Sequence, residues 1–165
     1  MMLDARENES RETFQQVQTP IRVMIVDDHA ILRAGVREML SEEADLQVVG
    51  EAGSAEEALQ QLRDGLKVDV VVLDITLPGQ SGIDLLKQLR RDRPELAILV
   101  LSMHPERSFA VRLMRAGANG YVPKMIVPEE LVKAVRAVGS GRGRDRRNRC
   151  GDLDGRLHWR VDQNH

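Results

Sequence analysis

The chain of 165 residues has one cysteine, Cys150, so no disulfide can form within it. A reducing, cytoplasmic compartment is the expectation that follows. Aromatic residues make up only 2% of the chain, so a core has to be built from Val, Ile, Leu, Met and Ala. No uninterrupted apolar run reaches the roughly 18–20 residues that a membrane helix needs. The start of the chain, Met1-Met2-Leu3-Asp4-Ala5-Arg6-Glu7, is too polar for a secretory signal. Formal net charge is only −2, which argues against the whole chain being a binder of polyanions. What is present, 42% hydrophobic and 30% charged residues, suits one globular domain with short extensions.

Residues 1–20 carry many charges and no apolar periodicity, and are expected to form a disordered arm. From Ile21 the character changes. Ile21–Val26, Leu46–Gly50, Val68–Leu73, Ala97–Leu101 and the weaker Gly120–Val122 are short, largely apolar runs. Such near-continuous apolar strands belong to a parallel sheet covered by helices on both faces. Between them lie helical patterns. Ala30 to Glu42 is expected to bury Ile31, Gly35, Val36, Met39 and Leu40. Ser54 and Glu57 have the spacing of a capping box, ahead of Ala58, Leu59 and Leu62. Gly82 to Arg91 turns Ile83, Leu85, Leu86 and Leu89 toward the sheet, and Phe109, Leu113, Met114 and Ala116 do the same up to Gly117. Pro128 opens a fifth helix with Glu129 and Glu130 in its first turn and Leu131, Val135 and Val138 as its buried stripe. The sum is an alternating (βα)5 α/β domain over residues 21–138.

Polar residues fall at the carboxyl ends of the expected strands: Asp27 and Asp28, Asp74, Ser102, and Lys124 just past the fifth. In an open α/β sheet the ligand crevice lies outside those ends. Three carboxylates brought together there repel one another, and a hard divalent cation such as Mg²⁺ relieves that repulsion while leaving room for phosphate. Taken singly, each feature has an ordinary explanation: Asp-Asp as a turn or cap, Ser102 as a helix cap, Lys124 as a solvated amine. Their conjunction on four strand ends of one alternating fold favours a site.

These motifs carry a resemblance. Val26-Asp27-Asp28-His29, Leu73-Asp74-Ile75-Thr76-Leu77-Pro78-Gly79, Leu101-Ser102-Met103-His104 and Gly117-Ala118-Asn119-Gly120-Tyr121-Val122-Pro123-Lys124 resemble a response-regulator receiver domain of two-component systems. The wording is similar to the NarL/FixJ class, whose members usually add a LuxR-type helix-turn-helix domain. The resemblance implies a flavodoxin-like doubly wound fold with strand order 2-1-3-4-5. It implies a cytoplasmic signalling switch rather than an enzyme acting on an external substrate. Asp74 would accept a phosphoryl group from a sensor histidine kinase. Asp28 and Asp74 would bind Mg²⁺ directly, Asp27 through water, and Thr76 through its backbone carbonyl. Lys124 would pair with the phosphoryl oxygens, Ser102 would hydrogen-bond the phosphoryl group, and Tyr121 would move with it. Thr76 and His104, two residues beyond Asp74 and Ser102, would tune dephosphorylation. A homodimer formed on phosphorylation is a further expectation.

Two departures stand out. Many receivers have Lys-Pro after the fifth strand, whereas here Pro123 precedes Lys124 and Met125 follows, and the sequence leaves the isomer of the Val122–Pro123 bond open. Residues 139–165 then form an irregular Arg/Gly-rich tail in which no helix-turn-helix pattern fits. Arg142, Arg144, Arg146, Arg147 and Arg149 could touch phosphate backbones, but such a run is commonly a solvated tail. Cys150, His158 and His165 match no standard zinc spacing. No sequence-specific DNA binding is expected of the chain as written, and a truncated or frame-shifted relative of a two-domain regulator is the working hypothesis, with a stand-alone receiver as the alternative. A phosphatase that forms its own aspartyl phosphate needs an Asp-x-Asp motif, absent at Asp27-Asp28-His29. A dinucleotide-binding turn needs glycines that Asp27-Asp28-His29-Ala30 lacks.

Overall fold

In the computed structural model, residues 19–77, 81–103, 107–126 and 128–140 are described. The apolar runs become strands β1 (Ile21–Val26), β2 (Leu46–Ala52), β3 (Val70–Asp74), β4 (Ala97–Ser102) and β5 (Gly120–Pro123). They alternate with helices α1 (Ala30–Ser41), α2 (Ala55–Arg63), α3 (Gly82–Asp92), α4 (Arg107–Ala116) and α5 (Pro128–Gly139). All strand pairs are parallel and the sheet order is β2-β1-β3-β4-β5, the flavodoxin-like arrangement expected.

Alternate strand residues feed two aliphatic layers. Met24, Val26, Val71, Leu73, Ile98, Val100 and Tyr121 pack with α2, α3 and α4 through Leu62, Leu85, Leu86, Leu89 and Leu113. Val23, Ile25, Val70, Val72, Leu99 and Leu101 pack on the opposite face against Val36 and Leu40 of α1 and Leu131, Val135 and Val138 of α5. Truncating one such leucine to alanine costs about 2–5 kcal/mol, because the lost transfer energy is joined by a cavity.

Local details refine the expected elements. Ile31 is not part of the buried stripe of α1 but is 88% exposed, while Val36 and Leu40 are buried. It sits in the first turn, ahead of the buried positions Val36 and Leu40. β3 begins at Val70, so Val68 and Asp69 precede it, and the Asp69 carboxylate there takes Arg22: Arg22 N and Nε donate to Asp69 Oδ2 at 2.9 and 3.0 Å, and Nη2 to Oδ1 at 3.0 Å. Ser54 caps α2 by accepting from the Glu57 amide, but the Glu57 carboxylate accepts from Gly53 N at 2.6 Å, one residue earlier than a reciprocal box requires. Gly139 closes α5 rather than opening the tail, and a Cβ there would meet Val70 and Ile21 side chains. Gly117 ends α4 at φ +122°, a conformation that glycine adopts without strain. No described peptide bond is cis, so Val122–Pro123 is trans.

Candidate functional site

Parallel register brings the polar strand ends together. Val26 of β1 pairs with Leu73 of β3, so Asp27 and Asp74 leave adjacent strands side by side. Asp74 pairs with Leu101 of β4, which puts Ser102 one residue beyond, and Ser102 pairs with Pro123 of β5, which puts Lys124 next. The Lys124 amide donates to the Ser102 carbonyl at 2.8 Å, extending the ladder into the loop.

Asp74 is wholly buried and held on both oxygens. Lys124 Nζ lies 2.8 Å from Oδ2. The Thr76 amide and hydroxyl donate to Oδ1 at 3.0 and 2.9 Å. Burial alone would push the Asp74 carboxyl up, but the Lys124 ammonium and the two Thr76 donors together hold it below the ordinary aspartate range. Asp27 is 2% exposed and goes the other way. Burial and the Asp74 charge raise it, against partial relief from the His29 N–H and from Lys124, which is 3.9 Å away. Asp28 is more open, and its partner among the described residues is the His29 ring, whose Nδ1 stands 3.2 Å from Asp28 Oδ1 and 3.3 Å from Asp27 Oδ1.

Three carboxylates thus face one ammonium. One ligand atom from each of Asp27, Asp28, His29 and Asp74 lies within 4.8 Å of the others. An oxygen-rich, partly open cluster with surplus negative charge fits a hard divalent cation.

Matches to known proteins agree with this geometry. Residues 23–136 match the family model of the response regulator receiver domain. The chain belongs to the response-regulator receiver family. The receiver is 41% identical over 121 residues to the response regulator GacA of Pseudomonas aeruginosa, covering 73% of this chain and 56% of that protein. It is 42% identical over 123 residues to the nitrate/nitrite response regulator protein NarP of Escherichia coli, covering 74% and 57%. These are relatives of the NarL/FixJ class. The chain spans a little over half the length of the curated relatives it matches. Among solved structures, a two-component response regulator of the LuxR family from Aurantimonas sp. gives a TM-score of 0.71 at 36% identity, over 85% of this chain and 96% of that one. The isolated receiver domain of RcsB from Salmonella enterica, with the phosphomimetic BeF3−, gives 0.69 at 31% identity, over 74% and 91%. No helix among the described residues is long and apolar enough to cross a membrane.

The geometry thus gathers Asp27, Asp28, Asp74, Thr76, Ser102 and Lys124 at one end of the sheet. Tyr121, expected to move with the phosphoryl group, is 1% exposed and already lies in the layer with α2, α3 and α4. His104, Pro78-Gly79-Gln80, the arm up to residue 18 and the tail from 141 lie outside the described residues. Two residues given no role by sequence stand close to the site. His29 bridges two carboxylates, and Arg33 Nη1 donates to the Asp27 carbonyl at 2.5 Å. The signal for His29 was its place directly after two aspartates. Arg33 lies one helical turn further on, where its reach back to the loop is invisible without the fold.

Proposed function

We propose that the chain is a phosphorylation switch in which Asp74 is the acceptor, a sensor histidine kinase the donor and Mg²⁺ the cofactor. The observation that carries this is the Asp74 carboxylate, gripped by Lys124 and Thr76 at a strand end beside two further aspartates. An Asp74 oxygen attacks phosphorus, an O–P bond forms, and the N–P bond of a phosphohistidine breaks, leaving the histidine neutral once it takes a proton. Asp27, Asp28 and Asp74 would hold the metal, with Thr76 contributing a carbonyl. When bound, the metal neutralises charge on the phosphoryl oxygens. The low-lying Asp74 carboxyl is ionised at neutral pH and so is ready as a nucleophile. Lys124 follows the incoming charge, moving from Oδ2 to a phosphoryl oxygen.

The added charge, about −1.5 to −2 by analogy with other phosphorylated side chains, then biases a two-state element. Ser102, fully buried at the end of β4, turns toward the phosphoryl group. Tyr121 is thereby retained in the inward position it already occupies. The surface of α4 and α5 reads out the change by self-association or by binding a protein partner. Thr76 and His104 govern how water reaches the acyl phosphate.

A protein donor is supported by the surroundings of the pocket. The exposed large hydrophobics among the described residues are Ile31, Leu32, Met103 and Met125. Each follows closely on a site residue: Asp28, Ser102 or Lys124. Apolar side chains left in water around a polar cleft suit a docking partner better than a small solute.

The test is incubation with acetyl phosphate and Mg²⁺, read by intact mass and peptide mapping. The native chain gains one phosphoryl group on Asp74 with little turnover of general phosphate esters. Asp74→Asn folds and gains none; full labelling of that variant at the pocket would sink the assignment.

A further inference from the structure

Asp28 poses a problem of placement. Its side chain is 31% exposed, and the half-open His29 ring is its partner among the described residues. Its position is therefore set by the backbone that carries it. Three hydrogen bonds hold that backbone. The Asp27 amide donates to the Ala52 carbonyl of β2 at 3.0 Å. The Asp27 carboxylate accepts the His29 amide at 2.8 Å. The Asp27 carbonyl, which belongs to the same peptide plane as the Asp28 amide, accepts from Arg33 Nη1.

Arg33 is itself fixed. Its Nε lies 3.4 Å from Glu51 Oε1, and Glu51 Oε2 also takes Arg37 Nη1 at 2.9 Å. The guanidinium rests over Gly53, where an added Cβ would lie 3.4 Å from Nη1. Arg33 thus spans from the end of β2 to the peptide that joins two of the three pocket carboxylates. A planar fork with several donors can do this, and an ammonium on a flexible stem cannot.

We infer that Arg33 is a positioning residue for the metal-binding loop, fixing the Asp27–Asp28 peptide and thereby the direction in which Asp28 points, with Glu51 holding Arg33 in place. This rests on the Mg²⁺ site proposed above. Two effects of Arg33 have opposite signs. As a nearby positive charge it opposes a cation, so its removal would tighten Mg²⁺ binding. As a clamp it preorganises the ligands, so its removal weakens binding, and partners that orient ligands commonly matter by about tenfold or more. The clamp is expected to prevail, because the hydrogen bond is made to the ligand-bearing backbone itself.

The experiment is calorimetric Mg²⁺ titration of the full chain as native protein, Arg33→Met, Arg33→Lys and Glu51→Gln, with thermal melting of each in metal-free buffer. The expected result is Mg²⁺ affinity about tenfold weaker in Arg33→Met, nearly as weak in Arg33→Lys despite the retained charge, and weakened less in Glu51→Gln. The Mg²⁺ concentration for half-maximal labelling by acetyl phosphate should rise in step, while the rate at saturating Mg²⁺ stays close to native. Unchanged or tighter Mg²⁺ binding in Arg33→Met, whatever its melting temperature, would overturn the inference. Native protein that binds no Mg²⁺ would overturn the metal site itself and this inference with it, so the two failures are told apart by the native titration.

Discussion

Lys124 Nζ sits 2.8 Å from Asp74 Oδ2 and 3.9 Å from Asp27 Oδ2, so one nearly buried ammonium serves two buried carboxylates. Its removal leaves both without that ammonium. Lys124→Met should therefore cost about 3–5 kcal/mol in metal-free buffer, the usual penalty for breaking a buried ion pair. Mg²⁺ should restore part of the loss by taking over the neutralisation. Urea unfolding with and without Mg²⁺ checks this, and a stability equal to native without metal would refute it.

Asp27 presents the converse case. Its charged form is disfavoured by burial and by Asp74. Asp27→Asn keeps an oxygen for the His29 amide and discards the charge. The variant should melt a few degrees higher in metal-free buffer, on the order of 1 kcal/mol. It should also bind Mg²⁺ more weakly. A lower melting temperature would mean that the carboxylate is better compensated than its surroundings suggest.

Thr76 is the exposed neighbour whose hydroxyl reaches Asp74 Oδ1. Thr76→Ala leaves the amide bond to the same oxygen, so the change in stability should stay within about 1 kcal/mol, the typical worth of one hydrogen bond. The half-life of the acyl phosphate should change severalfold. Indistinguishable decay in native protein and Thr76→Ala would remove Thr76 from control of lifetime.

How much of this site could be read from the sequence depends on what each residue does. Asp27, Asp74, Ser102 and Lys124 were legible because strand ends are marked by abrupt polarity, and strand ends converge in this topology. Ile31 was misplaced because helical periodicity does not say at which turn a helix begins to be covered, and here burial starts only at Val36. Arg33 and Asn119 were missed because their partners are fixed only by tertiary structure. Arg90 Nη2 donates to Asn119 Oδ1 at 2.6 Å, the same oxygen accepts the Ile98 amide at 2.9 Å, and Arg90 Nε reaches the Gly117 carbonyl. A single surface arginine of α3 thus closes the polar turn before β5.

That closure makes its own prediction. Asn119→Ala would strand the buried Ile98 amide and should cost about 1–3 kcal/mol, the price of an unmet buried donor. Phosphorylation by acetyl phosphate should survive wherever the variant is folded. A variant as stable as native protein would show that the turn is held by backbone alone.

Arg136 of α5 binds Asp45 through Nε and Nη2 at 2.7 and 2.9 Å and Glu43 at 3.1 Å. The hydrogen bonds from Arg136 hold the Asp45 carboxyl below the ordinary range. A depressed carboxyl contributes stability above its unfolded pKa and loses it as pH falls through the folded one. All three side chains are about two-fifths exposed, so the contribution is at most about 1 kcal/mol and salt-sensitive. Asp45→Asn should lower stability slightly at pH 7 and not at all in acid below both pKa values. A difference that persists there would argue against a charge effect.

Asp74 ends the central strand of five, with β1 and β4 as immediate neighbours and two strands farther out as shields. Amides of such a strand are freed for solvent exchange only when the whole domain opens, not by fraying of an edge. Asp74, the proposed acceptor, is therefore anchored to a strand paired on both sides, whose amides are expected to be among the slow exchangers of the described residues. A phosphoryl group carried there, as proposed above, would be insulated from local breathing, and its lifetime would become a property of the side chains at the rim. Evolution can thus retime the signal without touching the fold that carries it.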